Sequence, residues 1–444
     1  MMASMNPSSD SRPGENTIDR PFHKPEILAP AGDAVALRTA LDAGADAVYF
    51  GAGSLNMRAR ARNFALDDID RTVRLCHESG ARAYMAMNTI IFENELSLVE
   101  TTLDSAVQAG VDAVICWDSA VAAAAGERNL EVHLSTQASV SNSRAIISRY
   151  RLENIRRFVL ARECTIEQIR DIRTNLKKAL GDEADRIELE MFIHGAMCIS
   201  VSGRCFLSEF SSGQSGNRGA CLQPCRREYR IMDVEGEYEY EIGRDYVMSP
   251  KDLCTMPFID SLIDAGAASL KIEGRMRNPE YVAAVVSSYR QAVDVYCDRV
   301  RGTSKEDPLR GDFKKLKEEL TEKMRSVFNR GFSNGYYMGR PLGDWAKSAN
   351  SRATLRKETV GIVANYYRKA KAAEIKVQGA SFVPGDTLLI QGPTTGSLEV
   401  PVEEIQINHQ PVNQAVKGGS VAIRVPSRVR PGDAVYRRFE VENP

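Results

Sequence analysis

The residues best suited to chemistry are four cysteines in one Gly- and Ser-rich stretch, spaced Cys198-x6-Cys205-x15-Cys221-x3-Cys225. Thiolates gathered on such a loop can converge on a soft metal or an iron–sulfur cluster without strain. Structural zinc sites usually carry two tight CxxC-type pairs. Here six and three residues separate the pairs, which leans toward a [4Fe–4S] cluster. Zinc and a set of unrelated buried thiols stay open as alternatives on spacing alone. The other five cysteines are scattered. Cys76 and Cys297 lie in helical patterns and Cys116 in a strand, where a thiol serves as a small hydrophobe. Cys254 is either a substitute ligand or a core residue, and Cys164 has no assigned role.

Stepping along the chain, short apolar runs alternate with helical patterns. Eight runs read as strands: 26–30, 46–50, 82–88, 112–117, 132–136, 157–161, 187–195 and 269–274. Three joints repeat almost the same phrase, LDAGADAVYFG (41–51), VQAGVDAVICW (107–117) and IDAGAASLKIEG (263–274). In each, a helix ends at a glycine suited to the left-handed residue, and a buried strand follows. Eight βα units predict a closed TIM-like barrel. An open doubly wound sheet is the second choice, weakened because the first turn, APAGDAV, lacks GxGxxG. The expected organisation is a disordered leader over 1–24, the barrel over 25–300 with an insertion at 196–230, a helical connector over 301–355, and a small all-β barrel over 356–444.

A barrel presents chemistry at the C-terminal ends of its strands. That rule selects Asn88, Gln137, Arg162 with Glu163, Glu190 with His194, and Lys271 with Glu273 and Arg275. On a strand of period two, Glu190, Phe192 and His194 share a face, as do Lys271 and Glu273. Arg162–Glu163 and Lys271–Glu273 read equally well as internal ion pairs that hold loops. His194 is as suited to orienting the loop by a hydrogen bond as to moving protons. No HExxH, GxSxG or nucleophile–base spacing marks a peptidase, and nothing requires His133, His194 and Ser135 to form a triad.

The whole chain is nearly neutral, with 58 Lys+Arg against 59 Asp+Glu in 444 residues. A histone-like protein and global disorder are therefore excluded, and nucleic-acid contact requires local patches. Two such patches exist. Arg204, Arg218, Arg226, Arg227 and Arg230 surround the cysteines; Arg424, Arg428, Arg430, Arg437 and Arg438 lie near the end, with Tyr436 as a stacking surface. An ordinary solvated surface explains either patch equally well. No apolar run is long enough to span a membrane, and residues 1–24 contain no apolar signal segment, so a cytoplasmic protein is expected.

Several phrases resemble a known family. EMFIHGAMCISVSGRCFLS (190–208), STQASVSN (135–142), LARECTIEQI (160–169), MSPKDLC (248–254), SLKIEGRMRNPEYVA (269–283) and NRGFSNGYY (329–337) are similar to blocks of the collagenase-like peptidase family thirty-two, of unassigned catalytic type. The resemblance runs over roughly 26–440. It implies an oxygen-independent hydroxylase related to prephenate-dependent enzymes that make 5-hydroxyuridine at the tRNA wobble position, or to a 23S rRNA cytidine hydroxylase. It also implies a [4Fe–4S] cluster on Cys198, Cys205, Cys221 and Cys225, with Cys254 in the fourth place among quinone-pathway members. Prephenate, a dicarboxylate, would call on Arg162, Lys271 and Arg275 as fixed cations. A tRNA or rRNA partner would use Arg226, Arg227, Arg428, Arg430 and Arg437. The family's historical name keeps a peptidase as the competing expectation.

Overall fold

The computed structural model describes residues 23–441, apart from 60–61, 154, 228, 233, 237–238, 243–247, 305 and 348–350. Strands β1 (Glu26–Ala31), β2 (Ala47–Gly51), β3 (Arg82–Ala86), β4 (Ala113–Cys116), β5 (Glu131–Leu134), β6 (Arg157–Val159) and β7 (Glu188–Gly195) are laid side by side in chain order. A hairpin of β8 (Tyr229–Met232) and β9 (Glu239–Ile242) and the short β10 (Asp252–Cys254) precede β11 (Ala267–Ile272). Strand β11 pairs in parallel with both β1 and β7, which closes an eight-stranded barrel. All eight barrel strands coincide with a run anticipated from the sequence.

The three repeated joints behave as their glycines require. Gly44, Gly110 and Gly266 have φ of 89°, 76° and 90°, in the left-handed region that ends a helix cheaply only for glycine. Helices begin as legibly. In α1 (Ala34–Asp42) the Asp33 carboxylate accepts from the Ala36 amide at 2.9 Å. Between them, α2 (Ile69–Glu78), α3 (Leu96–Gln108), α4 (Ser119–Glu127) and α5 (Ser143–Glu153) continue the ring. A reciprocal capping box of Thr165 and Gln168 opens α6 (Ile166–Leu180). The stretch between β7 and β11 carries α7 (Leu207–Ser212) and α8 (Ile259–Asp264), and α9 (Pro279–Val295) follows β11.

The barrel interior is layered. At the N-terminal ends of the strands, buried Arg157 donates to Glu26 at 2.7 Å and to Glu188 at 2.6 Å, while Tyr84 donates to Glu26 at 2.7 Å. Above lies an apolar layer that includes Leu28, Ala47, Tyr49, Ala113 and Ile115. The chemistry-bearing layer sits on top of it.

Two boundaries differ from expectation. Lys24, assigned to a disordered leader, is tied to α9 by an ion pair with Asp294 at 2.6 Å, with Asp298 beyond at 3.1 Å; residues 1–22 lie outside the described residues. Among the described residues of the connector, the helix is α10 (Pro308–Arg325). From Ser326 the chain runs irregularly and adds β12 (Phe332–Ser333) beside β10, because side chains such as Asn329 and Ser333 bond neighbouring backbone groups instead of continuing a helix.

The C-terminal module is all-β as expected. It contains β13 (Leu355–Tyr367), β14 (Ala372–Val377), β15 (Thr387–Gly392), β16 (Gly396–Pro401), β17 (Ile405–Ile407), β18 (Gln410–Val412), β19 (Ser420–Arg424) and β20 (Ala434–Glu440). These form one antiparallel sheet around an apolar core of their own. Lys357 and Gln391 each bond Glu280 in the first turn of α9, at 3.0 Å, and so dock the module beside the barrel mouth. Among the described residues, no helix is long and apolar enough to cross a membrane.

Arg157 holds several carboxylates inside the barrel. Removing it leaves those charges buried and unpaired, so Arg157→Ala is expected to cost about 3–5 kcal/mol in urea unfolding. A loss below about 1 kcal/mol would show that the layer is not the brace described.

Candidate active site

At the C-terminal ends of the strands, two cavities adjoin. The inner chamber, about 50 Å³, is walled by Tyr49, Asn88, Gln137, Phe192 and Glu273, and by four cations: Arg58, Arg162, Lys271 and Arg275. The outer cavity, about 450 Å³, shares Arg58, Gln137, Arg162 and Glu273 with it and is lined further out by Cys198, Cys205, Cys221 and Cys225. All four cysteines singled out in the sequence thus face one space that opens on the chamber.

Local hydrogen bonds fix the positions of these sulfurs. The amide of Leu207 donates to Cys205 Sγ, and the amide of Gln223 to Cys221 Sγ, both at 3.3 Å. The Cys198 thiol contacts the Ser200 hydroxyl at 2.9 Å. A Cβ placed on Gly216 would stand 3.7 Å from the Cys221 sulfur, so the loop passes close to that thiol. Among the described residues, no three His, Cys, Asp or Glu side chains stand close enough to hold a single metal ion. The donor set, four thiols lining one cavity, is of the chemical kind that holds an iron–sulfur cluster. Cys254 is elsewhere: buried on β10, beside the Tyr289 hydroxyl at 3.9 Å, with its thiol pushed up to about 11 by burial.

The charged residues sort differently from the sequence pairing. Neither Arg162–Glu163 nor Lys271–Glu273 is the ion pair observed. Lys271 pairs with fully buried Glu190 at 2.8 Å. Burial opposes ionisation of Glu190, but Lys271, Arg157 and His133 keep its carboxyl below the usual range. Glu273 pairs with Arg58 at 2.8 Å and accepts from Tyr49 at 3.3 Å. Burial works against its charge too, yet Arg58, Arg162 and Arg275 hold the carboxyl down at about 2. Arg162 lies 3.8 Å over the Phe192 ring and donates to the Ala196 carbonyl at 2.9 Å. Arg275 donates to Asn56 at 3.0 Å, while its buried Nε has no hydrogen-bond partner. Burial pulls its guanidinium down to about 10.

Glu163 is a brace. It accepts from both the amide and the hydroxyl of Ser202, at 2.7 and 3.0 Å, and so holds that residue in the left-handed region, φ 48°, between Cys198 and Cys205. His194 is not in the site. The β7–β11 ladder shifts register between Phe192 and His194, which breaks the period-two alternation, and the ring sits against Tyr281, Tyr289 and Phe332 behind the wall. Burial, with Arg277 near, pushes it down to about 3. Ser135 donates to Gln137, and His133 contacts Glu131 at 3.2 Å. No Ser–His pair is assembled from these residues.

The arginine patches also divide. Arg226 bonds Ser249 and Pro250 carbonyl at 2.6 and 2.8 Å and the Met197 carbonyl, which makes it a strut of the cysteine loop. Arg437 pairs with Glu358 at 2.7 Å and Arg438 with Glu399 at 2.7 Å. Arg227 and Arg428 are exposed and Arg430 half-buried; the Arg230 side chain lies outside the described residues. Sequence reasoning missed Tyr49, Arg58, Arg277 and Arg330. For Arg58 a signal existed: the basic loop RARAR (58–62) follows the C-terminal end of β2.

The model of "Peptidase family U32" matches residues 32–347. This chain belongs to that family. It is 41% identical over 415 residues to a collagenase of Porphyromonas gingivalis, covering 93% of this chain and 97% of the relative. It is 33% identical over 388 residues to tRNA hydroxylation protein P1 of Bacillus subtilis, covering 86% and 87%. It is 34% identical over 330 residues to a 23S rRNA 5-hydroxycytidine synthase of Escherichia coli, covering 72% of this chain and 46% of that protein. The U32 match includes all four cysteines of the cavity.

The His194 environment has a measurable consequence. The folded state keeps the ring neutral down to about pH 3, whereas the unfolded chain takes up a proton near 6.5. Stability from this residue is complete above pH 6.5 and falls as pH drops toward 3. The loss is about 2 kcal/mol between pH 6.5 and 5 by linkage. Urea unfolding of His194→Phe should lose less than the parent over that interval; equal losses would remove His194 from the account.

Proposed function

We propose that this U32 protein is an iron–sulfur RNA hydroxylase that converts a uridine, at the tRNA wobble position, to 5-hydroxyuridine with prephenate as oxygen donor. The observation that carries the reading is the chamber wall, where four cations, Arg58 paired with Glu273 and Lys271 with Glu190, leave Arg162 and Arg275 in surplus and open directly onto four cysteines. A dianion is the ligand that such a wall compensates. Relatives named for tRNA and rRNA hydroxylation, at 33–34% identity, support the RNA substrate.

Replacing C–H by C–OH is a two-electron oxidation of the base, so the oxygen donor leaves reduced by two electrons. A [4Fe–4S] cluster on Cys198, Cys205, Cys221 and Cys225 supplies Lewis-acid and electron-transfer chemistry when bound. The rest falls to the chain's own groups. Arg275, with its unpartnered Nε, Lys271 and Arg162 bind and orient the donor carboxylates. Glu273 stays ionised and fixes Arg58 at the boundary of the two cavities. Met57, Ile115 and Phe192 keep the inner wall apolar between the charges and limit water there.

The collagenase relative, 41% identical, favours a peptidase as second reading. That reading needs a nucleophile and base, and Ser135, His133 and His194 are each engaged apart from one another.

Protein purified without oxygen is expected to be brown, with about four irons per chain. Cys198→Ala, Cys205→Ala, Cys221→Ala and Cys225→Ala should each bleach it, and Cys254→Ala should not. A colourless protein with stoichiometric zinc would sink the cluster. Mass spectrometry of tRNA nucleosides from a deletion strain should show 5-hydroxyuridine missing; an unchanged profile, with gelatin cleavage by the pure protein, would favour the peptidase. Arg275→Met should raise the KM for prephenate about 10- to 100-fold, as expected for loss of one charge-assisted bond.

A further inference from the structure

Gln137 occupies a short turn after β5, where the inner chamber and the cysteine cavity meet, and it lines both. The orientation of its amide is dictated by a chain of hydrogen bonds that starts at the backbone. The Met57 amide, which can only donate, reaches Asn88 Oδ1 at 3.1 Å. Asn88 is therefore oriented with its oxygen toward Met57, and its Nδ2 donates to Gln137 Oε1 at 3.3 Å. The Ser135 hydroxyl donates to the same oxygen. Both lone-pair directions of Oε1 are thus filled from within the protein, and Gln137 Nε2 is left as a donor. It makes no hydrogen bond within the described residues. It faces the cysteine loop at Gly203, where an added Cβ would stand 3.9 Å away.

A donor with this fixed sense distinguishes the two pyrimidines. Uracil carries a carbonyl at C4, which accepts; cytosine carries an amino group there, which donates. C4 adjoins C5, the carbon hydroxylated in the reading above. The other charged side chains around the chamber, Arg58, Arg162, Lys271 and Arg275, are also donors, and the wall's carboxylate, Glu273, is already engaged by Arg58 and Tyr49. An amino group at C4 would meet N–H against N–H.

Resting on the RNA-hydroxylase reading, we propose that Gln137 selects the base, its Nε2 donating to the C4 carbonyl of uracil and rejecting the C4 amino group of cytosine. Asn88 is the positioning residue that sets the sense of that amide. Family members whose names specify cytidine, such as the Escherichia coli rRNA enzyme, would then need the opposite sense at this point.

The test uses iron-loaded, full-length protein and two stem-loop RNAs identical except for uridine or cytidine at the target position. Both binding and competitive hydroxylation are read. The parent should favour uridine by about 10-fold or more, the value of one matched against one opposed hydrogen bond. Asn88→Asp still accepts from Met57 but offers an oxygen to Gln137, so the amide turns and presents Oε1; the preference should fall to near unity or reverse. Gln137→Glu installs an acceptor directly and should do the same, and it carries the test if Asn88→Asp fails to load iron. An undiminished uridine preference in an iron-loaded variant would overturn the assignment. So would an unchanged ratio accompanied by a raised KM for prephenate in Gln137→Glu, which would give the amide to the dicarboxylate instead. A parent that binds both RNAs equally overturns the selection alone, whereas a parent that binds and modifies neither overturns the RNA reading beneath it.

Discussion

The ladder between β7 and β11 is the constraint on which the rest of the molecule hangs. It joins the last barrel strand to the seventh and so closes the cylinder. Its register places Ser269 beside Glu190 and Lys271 beside Phe192, which brings Lys271 Nζ to the buried Glu190 carboxylate. The same ladder then slips by a residue, so that Ile272 meets His194. That slip ends the inward alternation of β7, turns His194 toward α9, and releases the chain at Gly195 into the cysteine insertion. Gly195 has φ 109°, and a Cβ there would stand 2.5 Å from the Glu273 carbonyl, so only glycine permits the exit.

Charge inside a closed barrel has few places to go, and the layers show how it is managed. At the bottom, Arg157 is matched by Glu26 and Glu188, and beyond them by Glu190. At the top, Arg58 is matched by Glu273 and Lys271 by Glu190, while Arg162 and Arg275 have no carboxylate within ion-pair distance among the described residues. A buried excess of fixed cations is costly without an anion. Arg275 Nε is among the buried side-chain atoms without a hydrogen-bond partner. An anionic ligand would offset this surplus.

The cysteine loop is not left to the cysteines to organise. Glu163 secures the Ser202 turn, Asn217 accepts from the Cys205 amide at 3.0 Å, and Arg226 ties the end of the insertion back to Met197 and Pro250. These struts come from β6–α6, from the insertion and from the segment before β10. Residues that read as catalytic or RNA-binding partners, Glu163 and Arg226, thus hold the sulfurs in place. Supporting polar contacts of this kind orient ligands and tune the group they hold.

By itself the sequence determined the eight βα units, the glycine-ended helices, the all-β module and the four cysteines, because each is written in local periodicity, turn chemistry or spacing. It also located Asn88, Gln137, Arg162, Lys271, Glu273 and Arg275, since strand ends in a barrel converge by topology. Tertiary structure alone decided the partners. Lys271 chose Glu190 over Glu273, Glu273 chose Arg58 from a different loop, and Cys225 rather than Cys254 joined the cavity. None of these pairings lies within a strand or helix, so no periodicity records them. The bulge that removes His194 from the site is a mismatch between two strands far apart in sequence, and it exists only once the barrel has closed.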